Sequence, residues 1–511
     1  MSWRALGLPQ HFPTLVAAAL VALLSLIPLG FIIGVAATAG WDHVAALVFR
    51  PRVAELLINT IWLEGLTVPI SVALAVALAW VTERTALRAS RWWSALLVAP
   101  LAIPAFVQSY AWNGAFPDLS GLPGAVLIGT ISYLPFVYLP VAAQMRRLDP
   151  ALEDNAASLG KNPGQVFWMV VLPQLRLPIA AGALLVGLHL LGEYGLFVLM
   201  RFDTFATAIV DQFQSAQGAA ANLMGGVLAI CCFVLIGIEA WTRGDRRYAR
   251  LGAGAAHEPA RYRLGAWAVP SMALLAATIG LSLGVTLSTL VGWLWIGGLA
   301  VWNDGQLWAS LVQTIVFSLI GAGVTTLLAV PMAWLSVRAK GAMPRWLEAA
   351  HLYAGALPGI IIALALVSIT VRVALPLYQT AATLILGYAL MFLPRALVGL
   401  RSSMAQAPVE LERAAMSLGK PPLVAVWRTT MRLAAPGIAA SLALCALGIG
   451  NELTGTLLLA PNGVRTLSTK FWAVSSELDY VAAAPYAVLM ILISLPLTVL
   501  LRRQAERALS R

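Results

Sequence analysis

The sequence predicts an all-α, polytopic membrane protein with about 12 transmembrane helices in two parallel six-helix repeats. Three observations lead there. The 511 residues are 60% apolar and only 11% charged, too few charges to cover a soluble globule of that length. The apolar residues fall into about twelve runs, on the scale of the roughly 20 residues a helix needs to cross a bilayer. Two polar stretches, Leu152-Glu-Asp-Asn-Ala-Ala-Ser-Leu-Gly-Lys161 and Leu411-Glu-Arg-Ala-Ala-Met-Ser-Leu-Gly-Lys420, nearly repeat each other. A period that long marks two copies of a multi-helix unit, not stacked solenoid motifs.

In chain order the expected spans are 13–38, 56–82, 92–113, 122–144, 179–200, 223–242, 266–298, 309–336, 346–372, 378–399, 437–460 and 483–501. The first follows Arg4 and ends near Ala37-Thr-Ala39, which looks like a cleavage site. Its apolar core is too long for a secretory signal, so it is read as a retained helix. Positive residues gather in alternate connections: Arg84, Arg88 and Arg91; Arg146 to Arg176; Arg243 to Arg263; Arg338, Lys340 and Arg345; Arg395 to Arg432; and Arg502 onward. By the positive-inside rule these connections and both termini are cytoplasmic, with Arg50, Arg52, Arg465 and Lys470 as exceptions. The net charge of +11 therefore reports topology, not nucleic-acid binding. An even number of spans per half gives both halves one orientation, unlike the inverted repeats of many secondary transporters. The expected organisation is a first repeat over 1–242 with a polar loop at 146–178, a basic cytoplasmic linker at 243–265, and a second repeat over 266–511 with its loop at 400–436.

A shift of 259 positions lays Gly160 on Gly419, Pro163 on Pro422, Trp168 on Trp427 and Glu193 on Glu452, and further upstream Asn59-Thr60 corresponds to Gln313-Thr314. In the loops, Ala156, Ala157 and Gly160, and again Ala414, Ala415 and Gly419, leave one side of a short helix thin enough for another surface to approach. Leu152 and Leu159, or Leu411 and Leu418, supply apolar anchors for helix-in-groove docking. Pro163 and Pro421-Pro422 limit continuation of the helix. An ordinary cytoplasmic helix would also use Ala for its propensity, but a duplicated loop of this kind points to a duplicated partner.

On these residues the chain resembles the membrane subunit of ATP-binding cassette (ABC) importers, whose cytoplasmic EAA loop carries an E-A-A stretch, a Gly and then an I-x-L-P. The first copy matches at Asp154-Asn155-Ala156, Gly160 and Val170-Val-Leu-Pro173. The second matches at Arg413-Ala414-Ala415 and Gly419 but reads Thr429-Thr-Met-Arg432, with Pro436 beyond. The resemblance implies that Glu153, Asp154, Ala156 and Gly160, and Glu412, Ala414, Ala415 and Gly419, belong to coupling helices seated in two copies of a cytoplasmic ABC ATPase. It also implies an extracytoplasmic substrate-binding protein as partner, a place in the bacterial inner membrane, and ATP on the partner chain with no cofactor here. The sequence itself has no G-x-x-x-x-G-K-[S/T] phosphate cradle, since Gly160-Lys161 and Gly419-Lys420 lack the upstream Gly and the hydroxyl residue. The chain is further similar to fused two-half permeases of ferric iron uptake, at Ala102 to Trp112, Gly192-Glu-Tyr-Gly195, Arg201 to Ile209, Asn451 to Pro461 and Arg465-Thr-Leu467. Fused thiamine permeases share the size and the repeat, and permeases for other small solutes share the coupling loops.

Glu193 and Glu452 occupy one repeat position after long apolar runs. Ionisable groups at such depth tend to face a cavity or a partner, so they, with Tyr194, are candidates to line a translocation path. The alternative is that each caps backbone where its helix ends. Tyr110, Tyr194 and Tyr388 offer hydroxyls, His189 stands one turn before Glu193, and Cys231, Cys232 and Cys445 form no C-x-x-C. His11, His43, His257 and His351 show no ligand spacing, so no metal site is expected. Polar loops at 204–217 and 462–479 are expected to face outward, where a binding protein would dock. A secondary transporter using Glu193 or Glu452 as a proton site remains the alternative machine.

Overall fold

The long apolar runs fold as helices, two of them broken at a corner, because a backbone at membrane depth has no water to bond and must satisfy its own N–H and C=O groups. The computed structural model describes residues 12–243, 262–339 and 341–509. Among these there is no β-strand, only an isolated bridge between Thr85 and Tyr262. Most of the linker expected at 243–265 lies outside the described residues, as do Lys340, His11 and His257.

The first half carries α1 (Phe12–Ala39), α2 (Pro51–Arg84), α3 (Ser90–Val98), α4 (Ala105–Ala115), α5 (Gly121–Arg147), α6 (Pro150–Ser158), α7 (Gly164–Gly192), α8 (Gly195–Leu199), α9 (Phe205–Gln214) and α10 (Gly218–Arg243). The second carries α11 (Gly265–Gly297), α12 (Gly305–Arg338), α13 (Ala342–Ala354), α14 (Gly359–Val373), α15 (Ala381–Ala405), α16 (Val409–Ser417), α17 (Pro422–Gly450), α18 (Thr454–Leu459), α19 (Leu467–Ser476) and α20 (Tyr480–Leu509). Among the described residues nine helices are long and apolar enough to cross a membrane, or ten if one bent pair counts as a single span. Two further apolar helices, Gly359–Val373 and Tyr480–Pro496, are shorter.

Four expected spans are corrected. The run 92–113 turns through 94° between Ser90–Ala102 and Ala105–Ala115. Proline disfavours the α conformation in the residue before it. Ile103 is accordingly extended at φ −108°, ψ 116°, and Pro104 opens α4 at φ −56°, ψ 142°. The run 346–372 breaks at the matching Leu357-Pro358, with Pro358 opening α14 at φ −53°, ψ 145°. Past each corner the chain is buried on all sides, from Phe106 to Trp112 and from Ile360 to Val367; the second stretch is apolar all round, as burial demands, and in the first Ser109 donates to the Ala105 carbonyl at 3.0 Å while Gln108 accepts from Ser132 at 2.9 Å. The runs 179–200 and 437–460 lie earlier than expected, at Gly164–Gly192 and Pro422–Gly450, because the chain leaves the helix at Glu193 and Asn451.

The helices pack into two compact units whose membership does not follow chain order. One comprises Met1–Phe49, Ile209–Ala229 and Leu299–Asp479; the other comprises Arg50–Ala208, Ile230–Gly298 and Tyr480–Arg511. Each is built on the same triad, α12–α15–α17 in the first and α2–α5–α7 in the second. In the first unit α1 lies on α12, α13 and α14, and in the second α11 packs on α4 and α20.

Membrane helices approach closely where one of them is small. On α7, a Cβ added at Gly182 would stand 2.8 Å from Val137 Cα and 3.0 Å from the Phe136 carbonyl oxygen of α5. In the other unit the space is left by α15, whose Gly399 faces Ser441 of α17. Since backbone atoms cannot move aside, Gly182→Ala should lower stability by about 1–3 kcal/mol. Gly237→Ala, with open space around it, should stay within about 0.5 kcal/mol. Thermal unfolding of the two variants in detergent checks the difference.

Candidate functional site

The repeated polar loops fold as two nine-residue helices, α6 and α16. Asp149 caps the first through its side chain, which accepts from the Ala151 amide at 3.0 Å. Both end in the same six-residue closure. The Gly160 amide bonds the Ala157 carbonyl at 2.9 Å and Lys161 bonds Ala156 at 3.2 Å; Gly419 bonds Met416 at 3.0 Å and Lys420 bonds Ala415 at 3.2 Å. This is a Schellman motif, which needs a left-handed residue after the cap, and both glycines sit at φ +78°. A Cβ at either would meet nothing within 4 Å, so these glycines serve the turn of the backbone and do not thin the helix against this chain.

The outer faces of these helices are bare. Leu159 and Leu418 are 80% and 81% exposed, Leu152 and Leu411 about half as much. Asp154, Ala157, Arg413 and Ala414 are exposed, while Ala156 and Ala415 are half-buried. Glu153 and Glu412 point the other way and are only 6% and 5% exposed. Each meets the arginine that ends the long helix of its own triad. Arg84 donates to Glu153, and Arg338 donates to Glu412 through Nε at 3.1 Å and Nη2 at 2.8 Å. Arg338 also donates to the Ala407 carbonyl at 2.8 Å. Burial pushes the Glu153 carboxyl above the usual carboxylate range, and the Arg84 charge pulls it partly back.

A hydroxyl completes each pair, but from different places. In the second copy it is Thr430, which donates to Glu412. In the first, the matching residue is Val171, and Tyr262, at the far end of the inter-repeat linker, reaches Glu153 at 3.4 Å. Tyr262 is held there by backbone bonds to Arg84 at 2.9 Å and Ala86 at 3.0 Å and by stacking on Trp80 at 5.5 Å. Burial and the nearby Glu153 charge raise the Tyr262 phenol.

Past the loops, both copies pass through a π-turn, Phe167–Val171 and Trp427–Met431. The second copy keeps this geometry although it lacks the Leu172-Pro173 pair. Trp168 and Trp427 stand exposed on the two turns, as tryptophans do at a membrane interface.

Glu193 and Glu452 each accept from an amide three residues on. Glu193 Oε1 receives Leu196 N–H at 3.2 Å, and Glu452 Oε1 receives Gly455 N–H at 2.9 Å, so each carboxylate caps the short helix that follows. Tyr133 donates to Glu193 Oε2 at 2.5 Å. Tyr194 is buried at the start of α8. The Tyr110 hydroxyl donates to the Tyr480 carbonyl, and Tyr388 shares a 2.8 Å bond with Thr456. His189 bonds the Leu185 carbonyl at 2.7 Å and packs on Phe136. No group of three or more potential metal ligands is present among the described residues.

The segments expected as outward loops are corrected too: they contain α9 and α19, opened by paired threonines. The Thr204 amide bonds Thr207 Oγ1 at 2.9 Å, and the Thr466 amide bonds Thr469 Oγ1 at 3.0 Å. The preceding turns are tied to the start of the long helix. Arg52 donates to Asp203 at 2.7 Å and Asn59 to the Asp203 carbonyl at 3.0 Å. In the second copy, the Arg465 amide donates to Gln313 at 2.7 Å and the Leu467 amide to Thr314 at 2.7 Å.

Sequence reasoning missed Arg84 and Arg338 as partners, counting them only as cytoplasmic charge. The signal was present: each is an arginine closing a long apolar run at one repeat position.

The sequence pattern of a protein family, "Binding-protein-dependent transport system inner membrane component", matches residues 27–240. The chain is 33% identical to "Fe(3+)-transport system permease protein FbpB 2" of Haemophilus influenzae, over 92% of this chain and 93% of that one. It is 21% identical to "Ferric transport system permease protein FbpB" of Actinobacillus pleuropneumoniae, over 88% of this chain and 71% of the relative. It is 27% identical to "Molybdenum transport system permease protein ModB" of Mycobacterium tuberculosis, over 41% and 88%.

The two closures yield a direct test. Placing alanine at a left-handed position costs about 1–2 kcal/mol, so Gly160→Ala and Gly419→Ala should each speed amide exchange across their own helix, 150–158 or 409–417. Asparagine, which tolerates that conformation, should do so less at both positions.

Proposed function

Because the chain belongs to the inner membrane components of binding-protein-dependent transport systems, we propose that it is the permease of an ATP-driven importer of ferric iron. It is a multi-pass inner-membrane protein and a transport subunit. The observation that carries the ferric reading is the likeness to an Fe(3+) permease along 92% of the chain. Relatives named for molybdenum match less than half of it and share the machine more than the cargo.

In this reading, α6 and α16 are the coupling helices. Leu159 and Leu418, exposed at the ends of helices whose opposite faces are fixed by buried ion pairs, enter grooves of two cytoplasmic ATPase subunits. Both termini and the basic connections face those subunits, and ATP is bound there. Closure of the ATPases pushes on the coupling helices, and the arginine links pass the push to α2 and α12, switching the membrane helices between outward-open and inward-open states. A substrate-binding protein delivers the cargo from the other side, and the elements offered to it are, in one copy, the turn at Asp203 with α9 and, in the other, the turn at Arg465 with α19. Glu193, Tyr194 and Glu452 are placed along the path, the carboxylates held in fixed orientation by their capping bonds. They act as polar way-stations, not as a tight metal site.

Uptake of radioactive iron into proteoliposomes holding this chain, its ATPase and its binding protein tests the proposal, with labelled thiamine alongside. The expected result is ATP-dependent iron uptake that Leu159→Glu with Leu418→Glu abolishes while the chain remains in the membrane. Thiamine uptake without iron would replace the cargo. Uptake driven by an ion gradient without ATP would replace the machine.

A further inference from the structure

A carboxyl group with no partner stands near the middle of α2. The 34-residue helix Pro51–Arg84 is about 51 Å long at 1.5 Å per residue, and Glu64 lies only about 5 Å from its midpoint, well inside a hydrocarbon core about 30 Å thick. Both Glu64 carboxylate oxygens are buried and have no hydrogen-bond partner, and so are Thr67 Oγ1 and Ser71 Oγ. These three residues share one face of the helix, at spacings of three and four. The hydroxyls of Thr60, Thr82 and Thr85, by contrast, bond the carbonyl four residues back on the same helix, at 2.7, 2.9 and 2.6 Å.

The neighbours leave room for this group without answering its charge. Gly187 of α7 faces Glu64, where an added Cβ would stand 3.0 Å from Oε2 and 3.0 Å from Leu235 of α10. Gly129 of α5 lies beside Thr67, with its added Cβ 3.3 Å from Thr67 Cγ2. The titratable groups within electrostatic reach are the thiols Cys231 and Cys232 on α10. No ion pair to Glu64 and no charged group acting on it occurs among the described residues. In the second half the matching position is Ser318, also buried and unpartnered. The carboxyl is thus present once per chain and lies outside the doubled coupling apparatus.

An ionised carboxylate in this setting is disfavoured far more strongly than the protonated acid. We propose that Glu64, with Thr67 and Ser71, is a proton-binding site at membrane depth that holds the α2–α7–α10 packing together while the carboxyl is neutral. Loss of the proton places a charge among three apolar helices and loosens that packing. Stability from this group is therefore present at low pH and lost as pH rises.

The test uses the full chain in proteoliposomes and dicyclohexylcarbodiimide, an apolar reagent for protonated carboxyls in membranes. The acid proton passes to a carbodiimide nitrogen while a carboxyl oxygen bonds the central carbon, and the adduct rearranges to a stable acylurea read by peptide mass spectrometry. The expected result is an adduct on Glu64 that falls several-fold between pH 6 and pH 9 and does not respond to sodium or potassium at fixed pH. Thermal stability should also fall over that range in the native chain relative to Glu64→Gln, which mimics the neutral acid. An adduct suppressed by sodium or potassium at fixed pH would overturn the proposal in favour of a metal-cation site. No adduct at any pH, or equal pH dependence of stability in Glu64→Gln, would overturn it outright.

Discussion

The buried arginine–glutamate pair at the end of each long helix is the constraint on which the rest depends. A nine-residue helix is too short to persist alone in water, and α6 and α16 turn their apolar anchors outward, away from any core of their own. What orients them is Arg84 on Glu153 and Arg338 on Glu412. Such a pair is weak evidence for net stability, because desolvating both charges offsets much of their attraction. Removing one partner is a different matter and costs about 3–5 kcal/mol, since the other is left buried and unpaired. The pair therefore fixes a geometry, as the coupling role proposed for these helices requires. It joins each short helix to a 34-residue helix through a short, directional link.

The two copies hold the same geometry with different chemistry. Thr430 supplies to Glu412 what Tyr262, from beyond the linker, supplies to Glu153. Asp203 meets Arg52 where Arg465 meets Gln306. The π-turn after the short polar helix forms with Leu172-Pro173 in one copy and Met431-Arg432 in the other. What persists are the backbone requirements that few residues meet: Gly160 and Gly419 at φ +78°, and Pro104 and Pro358 at the corners.

The membrane class and the two matching short helices were legible because they rest on local signals: long apolar runs, one duplicated polar stretch, and a glycine after each short helix. The corners at Pro104 and Pro358 are legible in principle, since a proline inside an apolar run is a break signal, but the length of each run suits a single span and masks the break. The glutamates show the other kind of limit. Sequence marked Glu193 and Glu452 as candidates for a path or a cap, and only coordinates reveal that each caps the amide three residues on. The partners of Glu153 and Glu412 lie 69 and 74 residues away, a separation at which pattern carries no pairing information. Glu64, within an apolar run and without a motif, drew no notice until its surroundings were visible.

In the proposed coupling these ion pairs transmit the work of ATP. The measurement is the amount of iron taken up per ATP hydrolysed in the reconstituted complex, compared among Arg84→Glu, Glu153→Arg and the chain carrying both changes. Each single variant, assembled in the membrane, should hydrolyse ATP with little uptake, and the exchanged pair should recover much of the native ratio. Native uptake per ATP in either single variant would contradict it.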